Sequence, residues 1–554
     1  MFGASQAHAL PPAAKLAALI LRDSAAKADV KDLIDRNFLS IHLGGAPNRW
    51  VWDQFLKTKP TDIVNPNPLC ATRYVATNGV YTAAEYATIN YKGVEVPPIW
   101  GTKVRSANGQ RNMTDLLEHM IVFRGYGSGV DGHPGNTVKQ YMPLPSAGSI
   151  TGTMADHSDN LMKAVQFPAG VANETAFSSI KGMGSSAIGY GGPNVNALMT
   201  LMHPFTKRGD AQSLEALRSR YKGMVETVQG VLNQHAQMSF PSSEAVLLDQ
   251  TKAAKTLREG LEDLDASWAA LYSKYTTILQ ETFRDQNVAG FTDKYAPAND
   301  TGSYGDNRDR VAIDVGYYPS QGFDLRTLVR EATVDVMAQA FALAEFVFTR
   351  KISSAMEIGQ IGPQNIKGTF VANTAGKLNG ATERAFGFNF DQHETGIMAV
   401  IPLNSALYRS LSAGMMELMD QMKKMGVWEK TIFHVTQEFG RTPRESAGGS
   451  DHGFDSMITS VYTGLRTGGP LVLGNIRRNG SGGAIPANYS GTFGYKSVTS
   501  IGSESVVLTP SHVASSLSVL YGQQKNPWAN VAQPLLAIEG GNVKAKASSE
   551  VTDG

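Results

Sequence analysis

Short apolar runs that stop at glycine or at a charged residue recur along the chain and alternate with longer stretches of helical spacing. Phe38-Leu39-Ser40-Ile41-His42-Leu43 ends at Gly44-Gly45, the pattern of a buried strand feeding a loop. Met120-Ile121-Val122-Phe123 before Gly125 repeats it, behind a helical run from Met113 to His119. Further strands are predicted at Ala385–Phe390, Thr431–Thr436 and Met457–Tyr462. Helices are predicted over 13–36, from Leu325 to about Lys351, from Ser405 to Met425 and after Pro510; the third carries a methionine-rich core face and ends at Gly426, a C-cap position. This alternation predicts an α/β fold, with a mostly parallel central sheet flanked by helices.

The stretches between these elements set the organisation. Residues 1–37 form an N-terminal helical arm, and 38–210 the first part of the core, rich in loops after residue 124. Residues 211–285 are spaced as a long helical hairpin broken only by Pro241, inserted into the core. Residues 286–324 are a loop-rich connection, 325–540 the second part of the core, and 541–554 a polar tail.

Charge and cysteine content narrow the function. With 50 Lys and Arg against 49 Asp and Glu, the chain has no general electrostatic grip on nucleic acid or anionic lipid. One cysteine, Cys70, excludes an internal disulfide and thiolate metal clusters, so a bound metal needs His, carboxylate or backbone oxygen ligands. No run of about 18 apolar residues predicts a membrane span. Ala7-His8-Ala9 has the form of an export-signal cleavage site, yet the preceding basic and apolar regions are missing; a remnant signal and an ordinary alanine-rich arm both fit.

Ionisable residues gather where predicted strands end. Asp391 and His393 follow Phe390; Glu438 and Arg441 follow Thr436; Asp451-His452 sits among Gly448, Gly449 and Gly453; Asp131 and His133 follow the second strand. In parallel α/β sheets, sites form beyond the carboxyl ends of strands. Mixed carboxylate and imidazole groups suit zinc, calcium, magnesium or manganese. Asp391, His393, Asp451, His452 and His133 are the candidate ligands. Glu438 is a candidate ligand or general base, and Arg441 a planar fork for an oxyanion. An adjacent Asp-His pair opposes its side chains in a regular strand, but both reach one ion in a glycine-flanked loop. His42, inside the first strand, reads as a satisfied core histidine.

The run Asp391-Gln392-His393, Glu438-Phe439-Gly440-Arg441-Thr442-Pro443 and Ser450-Asp451-His452 resembles the C-terminal half of the domain-of-unknown-function family 1501. Phe38–Gly45 and Val122–Asn136 resemble its first two strands more loosely. The resemblance implies an alkaline-phosphatase-like fold related to sulfatases, one or two divalent ions, and export to the periplasm or outside a bacterial cell. It implies hydrolysis of phosphate or sulfate esters, with a small anionic ester as substrate. The chain departs from the family at Pro47, where a strand-end aspartate is usual, with Asn48, Asp53 or Asp131 as weak substitutes. At Gly132-His133-Pro134 no hydroxyl nucleophile is evident, and Ser450 replaces the usual arginine. These departures imply the alternative of a catalytically degenerate binding, scaffold or assembly protein of the envelope, with itself or other envelope proteins as partners.

Overall fold

In a computed structural model the described residues are 33–57, 72–77, 80–158, 160, 164–167, 188–189, 264–284, 325–359, 366–371, 383–388, 391–392, 397–443, 450–453, 456–474, 498–501 and 504–546. The predicted N-terminal helix, residues 286–324 and His393 fall outside them, except that 33–36 are described and are not helical.

An eight-stranded sheet organises the chain. Its strands are β1 (Asn37–Leu43), β2 (Met120–Tyr126), β3 (Val165–Phe167), β4 (Ile188–Gly189), β5 (Ala355–Ile358), β6 (Thr431–Gln437), β9 (Met457–Thr463) and β10 (Leu471–Leu473). Between β6 and β9, β7 (Gly440–Pro443) and β8 (Ser450–Gly453) form a separate antiparallel ribbon. The sheet order is β4-β3-β5-β1-β6-β9-β2-β10. Every pairing in it is parallel except the two made by β9, with β6 and with β2. The mostly parallel sheet expected from the alternation is therefore present, with β9 reversed inside it. Sequence reading found β9 but not its direction: the chain turns back directly from β6 instead of crossing over the sheet. The described parts of the connection, 438–443 and 450–453, consequently stay at the carboxyl end of β6.

The predicted strand at Ala385–Phe390 is found at Glu383–Phe388, but not in this sheet. It pairs antiparallel with Ile366–Val371 in a ribbon of its own. An apolar run alone does not distinguish a core strand from a ribbon strand.

Both faces of the sheet are covered, which is why its strands read as nearly unbroken apolar runs. Leu39, Ile41 and Leu43 of β1, with Phe433 and Val435 of β6, pack on one side with α3 (Leu264–Arg284), α4 (Leu325–Thr349) and α5 (Ile397–Lys424). Phe38 and Ile432 join the opposite cluster with α6 (Pro510–Tyr521). The helix predicted from Ser405 begins eight residues earlier, at Ile397, and runs through Pro402. Its methionines 415, 416, 419 and 422 are core, as their spacing predicted. Gly426 closes it at φ 67°, in the left-handed region that favours glycine. Gly414 lets α5 lie against α4, since a Cβ there would sit 2.4 Å from the Phe341 ring. Of the 211–285 segment only α3 is described; it packs onto α4 and α5 and not away from the body.

Candidate metal centre

Three loops at the carboxyl end of the sheet build the site. The loop after β1 bends through Gly45 (φ 82°) and Ala46 (φ 49°). The loop after β2 ends at Gly132 (φ 97°), which starts α1 (His133–Tyr141) and sets His133 as its first residue. The chain after β6 supplies Glu438 and then the β7–β8 ribbon. Because β1 and β6 pair in register at Leu43 and Gln437, Gly45 and Glu438 leave the sheet side by side. The Gly45 N–H donates to Glu438 Oε1 at 3.1 Å.

His133, Asp391 and His452 converge, each offering a ligand atom within 4.8 Å of the other two. His133 Nε2 lies 3.2 Å from Asp391 Oδ2. Its N–H is not directed into a hydrogen bond there. His452 Nδ1 is 2.7 Å from Asp131 Oδ1, so its Nε2 carries the lone pair when Nδ1–H donates. His133 Nδ1 faces Glu438 Oε1 at 3.8 Å in the same sense. Two imidazoles, each with a carboxylate behind it, thus meet one carboxylate. The His133 and His452 rings are edge to face, 5.0 Å apart, and both contact Phe439, the latter at 4.0 Å.

This donor set fits a divalent cation. Two ligands on a tetrahedral ion with bonds of about 2.0–2.1 Å stand roughly 3.3 Å apart. The 3.2 Å between His133 Nε2 and Asp391 Oδ2 already matches that spacing. His452, within 4.8 Å of both, must close by at most about 1.5 Å to reach the same spacing. All three residues are partly solvent-exposed.

The other predicted residues take different places. Asp451 does not join the group. Residues 450–453 form a strand, not the open loop that would let Asp451 and His452 face one ion, and successive side chains on a strand point to opposite faces. The Asp451 carboxylate instead accepts from the His452 N–H at 3.1 Å. Arg441 is fully buried. It donates to Ala46 O (2.8 Å), Gly45 O (2.7 Å) and, in a very short contact, Asp391 Oδ1. It holds Asp391 and the strand-end loop and is not open to an incoming oxyanion. Asn48 and Asp53 do not replace the carboxylate missing at Pro47. Asn48 Oδ1 accepts from the Trp50 N–H, and its own N–H donates to Gln392 Oε1. Asp53 is buried against Arg49 and Ser460. Asp131 is at the site, but behind His452.

Sequence reading passed over two supports. Gln392 O accepts from both the N–H and the hydroxyl of Ser450, pinning the Asp391 turn to the ribbon. Phe439 floors both imidazoles. Neither has a signal in spacing, since each acts only through residues distant in the chain. His42 is half satisfied: Nδ1 meets the Tyr141 hydroxyl at 2.8 Å, whereas Nε2 is buried without a hydrogen bond, 3.7 Å from Glu438 Oε2.

Electrostatics follow the geometry. Burial would lower the His133 pKa, but the adjacent carboxylates of Asp391 and Glu438 outweigh it and push it up to about 9. Burial would raise Glu438, yet His133 and His42 hold it below the usual carboxylate range. Gly132 is where backbone freedom matters, because φ 97° disfavours any side chain although space is open around it. Gly132→Ala is expected to cost about 1–3 kcal/mol, since φ 97° with ψ 145° is a nearly glycine-only conformation, and to weaken divalent-ion binding by displacing His133; denaturant melts and calorimetric titration with zinc measure both.

Residues 370–475 match the profile of a family described as "Protein of unknown function (DUF1501)". That stretch carries Asp391, Glu438, Arg441 and His452, and leaves out His133 and β1. No curated protein and no solved structure matches the chain. Among the described residues no helix is long and apolar enough to cross a membrane.

Proposed function

We propose that the protein is a metal-dependent hydrolase of phosphate or sulfate esters that works with a single divalent ion held by His133, Asp391 and His452. The carrying observation is the convergence of these three groups at a partly exposed position. Three protein ligands leave a coordination position for water or substrate, as catalytic sites do, whereas structural sites are usually closed. Such an ion polarises an ester oxygen and acidifies water. Asp131 and Glu438 orient the two imidazoles, Glu438 as the buried carboxylate that the His133 Nδ1–H faces. Arg441 positions Asp391. With Pro47 buried at the strand end and Gly132 and Pro134 on either side of His133 carrying no hydroxyl, a one-ion, water-attack reaction suits the site better than a two-ion one.

The ester class, the alkaline-phosphatase-like fold and a periplasmic or extracellular location rest on the family resemblance. The burial of Arg441 favours a second reading, a degenerate member that binds one ion to tie its loops together and acts as an envelope scaffold. One experiment separates the two. Zinc, manganese, magnesium and calcium are titrated calorimetrically, and the loaded protein is assayed on generic phosphate and sulfate esters. Binding of one ion with chelator-sensitive turnover supports the hydrolase; one ion without turnover supports the scaffold; no ion rejects both metal roles.

The same titration carries a pH signature. An ion must displace the proton that His133 holds below about pH 9. Affinity is therefore expected to rise with pH up to about 9 and then level off, with close to one proton released per ion at pH 7. Titration in buffers of different ionisation enthalpy counts that proton. No pH dependence across this range would place the ion away from His133.

A further inference from the structure

Behind the metal group, on the α6 side of the sheet, lies a buried polar layer that the proposed chemistry does not use. Its centre is Glu357 of β5, fully buried with no cationic side chain among its hydrogen-bond partners. Register places Glu357 beside Ser40 of β1, and Ser40 beside His434 of β6. On the far side of Glu357, β3 places Gln166. From above, α2 (Ile150–Ala155) brings Thr151, whose hydroxyl donates to Glu357 Oε2 at 2.8 Å. The last residue of α1, Tyr141, sets its hydroxyl on His42 Nδ1 at 2.8 Å and lies close enough to feel the charge of Glu357, whose Oε1 is buried without a hydrogen bond. His42 Nε2 and Glu438 Oε2 then face each other at 3.7 Å, both buried and neither hydrogen-bonded. The helix that opens with the ligand His133 thus closes with the residue joining Glu357 to the site.

We propose that Glu357, Tyr141 and His42 form a buried proton relay ending at Glu438, and that Glu357 is a positioning residue whose protonation state sets which His42 nitrogen carries the proton. The directions are forced by the donors available. With Glu357 protonated, its O–H donates to the Tyr141 oxygen, the Tyr141 O–H donates to His42 Nδ1, and the His42 proton sits on Nε2, aimed at the Glu438 carboxylate. With Glu357 ionised, Tyr141 donates to the carboxylate, His42 Nδ1–H donates to Tyr141, and Nε2 turns a lone pair on Glu438.

Transfer along this line balances. Glu357 gives its proton to Tyr141, Tyr141 gives its own to His42 Nδ1, and Nε2 gives its proton to Glu438. One proton moves from Glu357 to Glu438, and His42 changes tautomer without becoming charged. The first step requires the unbonded Glu357 Oε1 to swing onto the Tyr141 hydroxyl, and the last requires Nε2 and Oε2, 3.7 Å apart, to approach by roughly 0.7 Å to hydrogen-bond length. Burial supports the neutral states: it holds the His42 pKa below its usual value and pushes Glu357 up to about 8, against the hydroxyls of Thr151, Ser40 and Tyr141.

The relay deepens the single-ion reading, since Glu438 backs a ligand of that site, but its test uses the metal-free protein and does not depend on turnover. The nitrogen chemical shifts of the histidine rings are followed from pH 6 to 10 in the whole chain, with the protonated-carboxyl infrared band read alongside. The expected result is loss of that band with a midpoint near 8, and a switch of His42 from Nε2–H to Nδ1–H at the same midpoint. Glu357→Gln should abolish both. Tyr141→Phe should keep the band's titration while uncoupling His42 from it, which a merely structural tyrosine would not do. If His42 keeps one tautomer while Glu357 titrates, or His434 responds in its place through Ser40, the relay is overturned. If Glu357→Gln does not fold, the Tyr141→Phe spectra decide alone.

Discussion

Asp391→Asn is expected to abolish tight divalent-ion binding and to destabilise the fold together. The carboxylate has two partners on opposite sides. Toward solvent, Oδ2 meets His133 Nε2 at 3.2 Å; toward the interior, Oδ1 meets the buried Arg441 guanidinium. Replacing it with an amide removes the group's sole anionic ligand, and affinity should fall by about 100-fold or more, beyond the 10–100-fold typical of losing an outer partner. Inside, Arg441 keeps the Gly45 and Ala46 carbonyls but loses its charged partner. Breaking a buried ion pair costs about 3–5 kcal/mol. Asp391 is partly exposed, so about 2 kcal/mol is the expectation here. His133, deprived of one of the two carboxylates that hold its proton, should titrate lower. Calorimetry with zinc and urea denaturation measure these effects. An Asp391→Asn protein that binds the ion as tightly as the parent would place the ion elsewhere.

Asp53→Asn is expected to produce the larger loss of stability without touching the ion. Arg49 and Asp53 are both fully buried, in paired contact through two guanidinium nitrogens. Arg49 also reaches Val435 O, Ile458 O and the Ser460 hydroxyl, and lies over the Trp52 ring. With the carboxylate gone, the guanidinium stays charged at any pH the fold survives and has no route to water. The expected cost is about 3–5 kcal/mol, a large share of a typical domain's stability. Replacing the pair together, Arg49→Met with Asp53→Leu, should recover much of it, because no charge is then left stranded. A single substitution that costs under about 1 kcal/mol would mean Arg49 finds another counter-charge. Any Asp53→Asn protein that folds should bind zinc normally, since Asp53 lies in the core and not at the strand end.

The first strand, the methionine-rich helix and the helix after Pro510 were legible because their signals are local. A run of apolar residues ended by glycine, or an apolar face recurring every three to four residues, specifies an element whatever it packs against. So was the position of Glu438, which had only to follow an apolar strand to land at the carboxyl edge of the sheet. The family resemblance singled out Asp391, Glu438, Arg441 and His452 but assigned them by motif, not by direction. Direction depends on what surrounds a residue. Arg441, with five donors, looks from sequence like an anion clamp; the fold turns it inward because the Gly45 and Ala46 carbonyls and Asp391 need a donor there. Asp451 and His452 are neighbours in sequence, and strand geometry sends only His452 toward His133 and Asp391.

What the sequence by itself determined is the α/β class, four of the sheet's eight strands (β1, β2, β6 and β9) and the helices α4, α5 and α6, since these follow from short-range pattern and backbone periodicity; β3, β4, β5 and β10 were found only in the structure. The tertiary structure alone decided which side chains meet. His133 joins Asp391 and His452 across long separations in the chain because β2 and β6 share a sheet and their loops leave the same edge. Asp53 is lost to the site because Arg49, four residues away, holds it in the core. Glu357 belongs to the layer behind the site because β5 lies beside β1. Such meetings depend on strand order and register, which no local pattern encodes, and the reversal at β9 keeps the ribbon above the site.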